Sequence, residues 1–258
     1  MFRLTKWYLD LVTDQGTLLI AYAASLEWAG LRMQFASTLV ARPYEAPSEE
    51  TTIADVALPA LQGDLLTWHH DGLGIAGTWQ GTVPPVRATL LDDPGGQLEW
   101  TCHLPGAEVA VTLHGEGLNG RGYAECLAMT RRPWALPLNH LRWGRYVSAD
   151  HTVAWIEWRG GEPRQWIWLD GSAEPDASIQ DFRVEGLGGG HELRLEPFRE
   201  ICDRRGLQVL SRHLPSLSPA LLGPMADLRE TKRLDRGILL RDGVATDQGW
   251  VIHEVVTW

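Results

Sequence analysis

The chain has 258 residues, of which 44% are hydrophobic and 22% are charged, a composition typical of a globular protein with one large β domain or two of ordinary size. The formal net charge is −10, and acids and bases alternate, which disfavours a polyanion partner, so we expect no nucleic-acid binding. No apolar run predicts a membrane span, and residues 1–7 lack the apolar region of a secretory signal. Three cysteines without a Cys-x-x-Cys motif are typical of reduced thiols, so we expect a cytoplasmic protein.

Alternation of apolar and polar residues recurs along the chain and predicts β-strands. Residues 98–104 and 107–113 alternate on either side of Pro105-Gly106, which predicts a hairpin with its turn at that dipeptide. Further turn signals lie at residues 14–16, 93–96, 160–161, 170–171 and 242–243. Residues 47–56 and 217–229 allow short helices. The sequence therefore predicts an all-β fold, an antiparallel sandwich or barrel.

A Gly-rich polar segment at residues 115–120 separates two strand-dense halves. Such a segment predicts a domain boundary, so we expect two β units, residues 1–118 and 119–258. Both halves open with an aromatic and an acidic residue on one strand, followed later by a step resembling Trp-Gly. This similarity favours two related units.

Tryptophan is unusually frequent, with 13 in the chain, most of them between residues 68 and 168. A tryptophan cluster either fills a wide core or lines a pocket for a large apolar ligand. We predict Trp143, Trp155 and Trp158 as ligand-binding residues. Because Trp155 and Trp158 have opposite parity on a strand, these side chains cannot all face one cavity, and at least half of the tryptophans are expected in cores.

Glu125 is the candidate catalytic residue. On a strand it shares a face with Tyr123 and Leu127, so its carboxyl lies among apolar groups if that face is buried. Such surroundings push a carboxyl towards the neutral form, which can donate a proton to an alkene. Tyr123 is a candidate ligand-binding residue on the same face. The alternative is a structural Glu125, buried in an ion pair with Arg142 or Arg145.

Two further charged residues are candidate ligand-binding groups. Arg145 could anchor a ligand carboxylate or hold Glu125. Alternatively, its guanidinium could be structural and donate to the carbonyl oxygens of a turn. Glu254 interrupts an apolar strand face, and its structural alternative is a salt bridge. His253 points to the opposite side of that strand, which argues against a local His–Glu dyad.

Other motifs carry no prediction of chemistry. Residues 69–71 (His-His-Asp) resemble metal ligands, but neighbouring strand residues point to opposite faces and no third ligand follows at a recognisable spacing. No phosphate-binding loop and no Gly-x-Ser-x-Gly motif occurs. We therefore expect no metal, nucleotide or other cofactor.

Several segments together resemble a known family. Residues 7–10 (Trp-Tyr-Leu-Asp) with 14–16 (Asp-Gln-Gly) are similar to its opening strand and turn, and residues 122–125 (Gly-Tyr-Ala-Glu) to its Gly-x-x-Tyr-x-Asp strand. Residues 141–145 (Leu-Arg-Trp-Gly-Arg) and 154–158 (Ala-Trp-Ile-Glu-Trp) are similar to its later Trp-x-Trp-x-Arg segment. The chain resembles the double-lipocalin (calycin) family that includes AttH-like proteins and carotenoid 1,2-hydratases, also called hydroxyneurosporene synthases.

The resemblance implies two lipocalin-like antiparallel barrels and a large apolar ligand, such as an isoprenoid, a polyene or a polyketide-like molecule. It also implies acid-assisted non-redox chemistry of a hydratase, lyase or cyclase, with Glu125 at the position of the family acid. The sequence departs from the family at the residues that follow, Cys126 and Leu127, where a polar pair is usual. The alternatives are a non-catalytic carrier of hydrophobic ligands and a structural or interaction protein with packed cores.

Overall fold

The structure, a computed structural model, describes residues 2–205 and 228–258, and the chain divides into two compact units, Met1–Leu136 and Pro137–Trp258. Each unit is built on one curled antiparallel sheet, and the described residues are 71% strand and 4% helix. The predicted all-β fold of two antiparallel units is therefore confirmed.

The first unit has a ten-stranded sheet with the order β4-β3-β2-β1-β10-β9-β7-β6-β5, and β8 pairs with β9 beside this path. Its strands are β1 Phe2–Val12, β2 Leu18–Trp28, β3 Leu31–Ala41, β4 Ser48–Thr52, β5 Ala60–Gln62, β6 Leu65–His70, β7 Ile75–Gly81, β8 Val86–Asp93, β9 Gly96–Leu113 and β10 Glu116–Met129. Two 3₁₀ turns, Asp71–Leu73 and Pro133–Ala135, complete it.

The described residues of the second unit form a nine-stranded sheet with the order β14-β13-β12-β11-β19-β18-β17-β16-β15. Its strands are β11 His140–Val147, β12 Thr152–Arg159, β13 Arg164–Leu169, β14 Ser172–Ala173, β15 Ser178–Ile179, β16 Arg183–Leu187, β17 His191–Arg205, β18 Arg229–Arg241 and β19 Val244–Thr257. A 3₁₀ turn, Gly188–Gly190, lies between β16 and β17.

The two sheets follow the same path. In each unit the first strand pairs with the last, β1 with β10 and β11 with β19, and the next three strands extend the sheet on the other side of that first strand. The two units are therefore related in topology, in agreement with the similarity between the two halves of the sequence.

One predicted hairpin is wrong. Residues 98–104 and 107–113 belong to a single strand, β9, which continues through Pro105 and Gly106. The long strand pairs with β8 along its first part and with β7 along its last part. Register shifts against β10 accommodate residues 105 and 106 of β9, which have no register partner on β10. The dipeptide thus marks an irregularity inside a strand and not a turn.

The unit boundary also differs from the sequence expectation. It lies between Leu136 and Pro137, whereas the glycine-rich segment after residue 114 is the hairpin between β9 and β10. His114 and Gly115 have φ of 48° and 85°, the left-handed backbone that a two-residue hairpin turn requires. The glycines are turn and strand residues of one sheet, so residues 119–136 belong to the first unit.

The first of the two short helices expected from the sequence is wrong. Residues 48–52 form strand β4 within the segment expected to be helical. Of the second segment, residues 217–227 lie outside the described residues, and Arg229 begins strand β18. No helix in the described part of the chain has the length and hydropathy needed to cross a membrane.

Each unit surrounds its own apolar core. In the first unit this core includes Leu9, Trp79 and Ala124, and in the second it includes Tyr146 and Trp155. Eight of the 13 tryptophans are buried: Trp68, Trp79, Trp100, Trp143, Trp155, Trp158, Trp168 and Trp250. Of these, Trp68, Trp79 and Trp155 belong to the two apolar cores.

Candidate functional site

The candidate acid Glu125 lies on β10, where two donors hold its carboxylate. The indole Nε1 of Trp100 and the hydroxyl of Tyr123 each donate to Glu125 Oε2, both at 2.6 Å. Hydrogen bonds to a charged acceptor are shorter and stronger than those between neutral groups, and these two stabilise negative charge on the carboxylate. The sequence brought Tyr123 and Glu125 together correctly, and the structure adds Trp100 from β9.

An irregularity in the sheet positions this group. The register between β10 and β9 shifts on both sides of Ala124. Ala124 itself points into the apolar core of the first unit, so Tyr123 and Glu125 point to the opposite face. Bulges of this kind re-aim side chains. Opposite Glu125 on β9 lies Cys102, which donates to the carbonyl of Ala124 with an Sγ–O distance of 3.7 Å.

Burial keeps the hydroxyl of Tyr123 and the thiol of Cys102, both next to Glu125, protonated. Burial, followed by the charges of Cys102 and Glu125, raises the pKa of Tyr123 well above its usual value. Burial likewise raises the pKa of the Cys102 thiol well above its usual value, and a hydrogen bond with Tyr123 only partly offsets this. At neutral pH, Tyr123 is therefore a neutral hydroxyl that donates to Glu125.

Strand β1 supplies the other side of the cluster, which sequence reasoning did not assign to the site. Tyr8 is the register partner of Glu125, and Asp10 is the register partner of Tyr123. Asp10 is completely buried, and the rings of Tyr8 and Tyr123 meet edge to face at a centroid distance of 6.0 Å. The alternation of residues 8 and 10 gave these side chains a common face, but only the pairing of β1 with β10 places them beside Glu125.

In the second unit, four of the predicted ligand-binding residues share one face of the sheet. Trp143 is the register partner of Glu254, and Trp158 and Arg145 have the same parity as Trp143 across β11 and β12. Trp155 points to the other face, where it belongs to the core and covers Gly144. The parity expected from the sequence thus separates Trp155 from the other four.

The charged members of this face have structural partners within the unit. Arg145 is 1% exposed and donates from Nη1 to the carbonyl oxygen of Trp250 at 2.9 Å. Glu254 pairs with Lys232 at 3.0 Å, and Lys232 also contacts Glu230 at 2.6 Å. The salt bridge of Glu254 is the contact that its structural alternative predicted, whereas Arg145 binds a carbonyl inside strand β19 and not a turn carbonyl.

The second unit also holds an Asp–His pair that sequence reasoning missed. Asp235 has no exposed surface and accepts from His253 Nε2 at 2.8 Å and from the backbone N–H of Phe198 at 2.9 Å. Burial opposes ionisation, but the hydrogen bonds and the nearby charges of His253 and Arg233 hold the pKa of Asp235 below its usual value. Only the pairing of β18 with β19 brings the two residues together, since they lie 18 positions apart.

Two cavities of the described residues differ greatly in size. A cavity of about 10 Å³ beside Trp143, Trp155 and His253 has room for at most one water molecule. An open groove of about 700 Å³ lies on the first unit, a volume in the range of small-molecule sites. Trp68 is the one tryptophan among its lining residues, which are Ala57, Leu58, Ala60, Thr67, Trp68, His69, Ala76, Gly77, Thr78, Ala110, Val111, Thr112, Gly117 and Asn119.

No family model and no curated protein sequence matches the chain. Solved structures do resemble it. A structure of CghA with Sch210972 has a TM-score of 0.57 at 10% identity, covering 99% of this chain and 88% of that one. The chain has a double-lipocalin-like fold.

Two further solved structures show the same likeness. Kievitone hydratase from Nectria haematococca has a TM-score of 0.57 at 12% identity, with 98% of this chain and 88% of that one covered. An AttH-like protein from Nitrosomonas europaea has a TM-score of 0.54 at 12% identity, with 99% and 92% covered. The resemblance read from the sequence is thereby confirmed at the level of the fold, which is as far as such identities reach.

Proposed function

We propose that the protein binds an apolar small molecule and catalyses a non-redox reaction, the addition of water to a double bond conjugated with a carbonyl group, with Glu125 as the acid–base group. The observation that carries this proposal is the Glu125 carboxylate held by Trp100 and Tyr123 on a face of β10 that points away from the core. The fold supports it, because kievitone hydratase, which shares that fold, is by its name an enzyme that adds water.

The contacts of Glu125 support one order of proton transfer. Two donors on one oxygen stabilise the carboxylate, so Glu125 begins as the base and removes a proton from the water that attacks the double bond. The double bond is one that is conjugated with a carbonyl group, so the electron pair moves to the carbonyl oxygen when the water oxygen bonds to the far carbon. The protonated Glu125 then gives its proton to the carbon next to the carbonyl group. One water is consumed, the carboxylate is restored, and no oxidant or reductant is required.

Trp100 and Tyr123 are positioning residues in this scheme. They hold Oε2 from two directions, and both side chains are buried, so the carboxylate is fixed before substrate binds. Preorganised groups of this kind avoid reorganisation during the reaction. Loss of the Tyr123 hydroxyl should therefore lower the rate while leaving the protein folded.

A second candidate function is a carrier without catalysis. The groove of about 700 Å³ on the first unit favours it, because this groove is large enough for a drug-sized ligand and its described lining contains alanines, threonines and valine. A carrier would bind apolar probes without altering them, and its affinity would be insensitive to Glu125.

The test compares Glu125→Gln with Glu99→Gln and Tyr123→Phe. Glu99 is a matched control, a half-buried carboxylate on the neighbouring strand β9 that accepts from Thr89. Retinoic acid and methyl retinoate, in which a double bond is conjugated with a carbonyl group, are the probes. Tryptophan quenching measures binding, and mass spectrometry detects the gain of one water. We expect hydration by the native chain and by Glu99→Gln, and its loss in Glu125→Gln with binding retained.

Two results would contradict the proposal. Binding of the probes without any hydration product by the native chain would favour the carrier. The second is a melting temperature of Glu125→Gln so low that it corresponds to a loss of about 3–5 kcal/mol of stability. That loss would mean that Glu125 is a structural carboxylate, because its replacement leaves a buried cation without a charge partner.

A further inference from the structure

Lys6 is the cation on the site face of β1. The chain has only two lysines, Lys6 and Lys232, and Lys232 is buried in contact with two glutamates. Lys6 makes a different contact, because its ammonium lies over the ring of Tyr22 at 4.6 Å from the centroid. Within the described ranges 2–205 and 228–258, no carboxylate forms an ion pair with Lys6. Its positive charge is therefore available to a ligand.

A continuous row of side chains joins Lys6 to Glu125. The ring of Tyr22 meets that of Tyr8 at 5.4 Å, Tyr8 meets Tyr123 at 6.0 Å, and Tyr123 donates to Glu125 at 2.6 Å. Both ring pairs are edge to face, the favourable arrangement for aromatic side chains. The row is a rigid spacer between an ammonium and a carboxylate.

The strand register sets the distance between the two ends. Tyr8 lies directly opposite Glu125, and Lys6 lies two residues further along the same face of β1. A diagonal pair of this kind is separated by roughly 7–8 Å between backbones. The Lys6 ammonium is directed towards β2, where it lies over Tyr22, so a ligand that touches both groups has to span the row of rings. Tyr8 and Tyr123 are buried, whereas Lys6 and Glu125 are only half-buried. A ligand can therefore touch both ends without displacing the rings.

We propose that Lys6 binds the carboxylate of the ligand, and that the ligands of this protein are apolar acids. The inference rests on the proposed function of Glu125, because a carboxylate anchored at Lys6 directs the apolar part of the ligand along the row of rings towards Glu125.

The test uses matched probes that differ in one charge. Retinoic acid is compared with retinol, and palmitic acid with hexadecanol, by quenching of tryptophan emission. The variants are Lys6→Met, which removes the charge and keeps the stem, and Lys6→Arg, which keeps a charge. Arg87→Met is the matched control, since it removes an exposed charge from β8 of the same unit.

We expect the native chain to bind each acid roughly tenfold or more tightly than its alcohol, the size of one charge-assisted hydrogen bond. Lys6→Met should lose this preference and keep its affinity for the alcohols. Lys6→Arg and Arg87→Met should retain the preference. Melting curves verify that each variant is folded.

A labelling experiment tests the same contact without a variant. Because Lys232 is buried, acetylation with an N-hydroxysuccinimide ester should modify Lys6 as the reactive lysine of the native chain. Retinoic acid should protect Lys6 at least severalfold, and retinol should not. Mass spectrometry of the digested chain gives the extent at each lysine.

Equal affinity for acid and alcohol in both pairs, including failure of all four probes to bind, would overturn the inference, as would a preference that survives in Lys6→Met. The outcome is distinguishable from that of the proposed function. Loss of acid preference in Lys6→Met together with unchanged hydration in Glu125→Gln would keep Lys6 as a binding residue and reject Glu125 as the acid–base group.

Discussion

Gly122 on β10 occupies a position without room for a side chain. A methyl group built there would clash with the backbone oxygen of Asp10 and would lie 2.7 Å from Val109 Cγ2. A carbonyl within a paired strand cannot rotate away from such a contact. Gly122→Ala therefore has to displace β10 from β1, the two strands that carry Glu125 and Tyr8.

The magnitude follows from the cost of overpacking. Forcing extra volume into a packed region costs about 1–3 kcal/mol, and more where backbone has to move. For a unit of the size of Met1–Leu136, each kcal/mol lowers the melting temperature by about 3 °C. We expect Gly122→Ala to melt about 3–9 °C below the native chain.

Gly117 provides a control on the same strand. A methyl group built at Gly117 meets nothing within 4 Å, and the backbone there is not left-handed. Alanine is favoured over glycine in a strand by about 0.5–1 kcal/mol, so Gly117→Ala should be neutral or slightly stabilising. The two variants make the same chemical change and differ only in the space around it.

The assay is thermal unfolding followed by far-ultraviolet circular dichroism and by tryptophan emission. Both probes are needed because the chain has two units, which need not unfold together. If Gly122→Ala and Gly117→Ala melt within about 1 °C of each other, the close approach of β10 to β1 is not a constraint and the reasoning fails.

Two further predictions concern ionisable groups. Burial opposes ionisation of Asp235, but its hydrogen bonds and neighbouring charges hold its folded pKa below the unfolded value, so its stabilising effect is present above about pH 4 and is lost as the pH falls through the folded pKa. The free energy of unfolding, measured with urea, should therefore fall more steeply between about pH 5 and pH 2 for the native chain than for Asp235→Asn. Parallel slopes for the two proteins would contradict this. Burial, followed by the charge of Glu125, raises the pKa of Cys126 to about 12, so alkylation by iodoacetamide at pH 8 should be on the order of 1000-fold slower than in urea. Rapid labelling of Cys126 in the folded chain would refute that prediction.

Local patterns in the sequence predicted much of the fold. Alternation gives strands because successive side chains point to opposite faces, and Asp-Gly pairs give hairpins because they tolerate left-handed backbone. Asp170-Gly171 and Asp242-Gly243 both have positive φ at both residues, in turns between neighbouring strands. Such signals act within a few residues, so a single chain is enough to read them.

The same reasoning failed where distant strands decide the outcome. Pro105-Gly106 has the chemistry of a turn, yet β7 and β8 pair with β9 on either side of it and keep the strand continuous. The glycine-rich segment after residue 114 looked like a linker because nothing local shows that β10 pairs with β1. Strand pairing overrides the local signal in both cases, and in the second case the paired strands lie more than 100 residues apart.

The candidate site divides in the same way. The sequence by itself placed Tyr123 and Glu125 on one face, because that relation depends only on the period of a strand. Only the tertiary structure set Trp100, Tyr8 and Asp10 beside them, because strand register fixes which residues of three separate segments are neighbours. Alternation is a property of the chain, whereas register is decided when the whole sheet forms and buries its core.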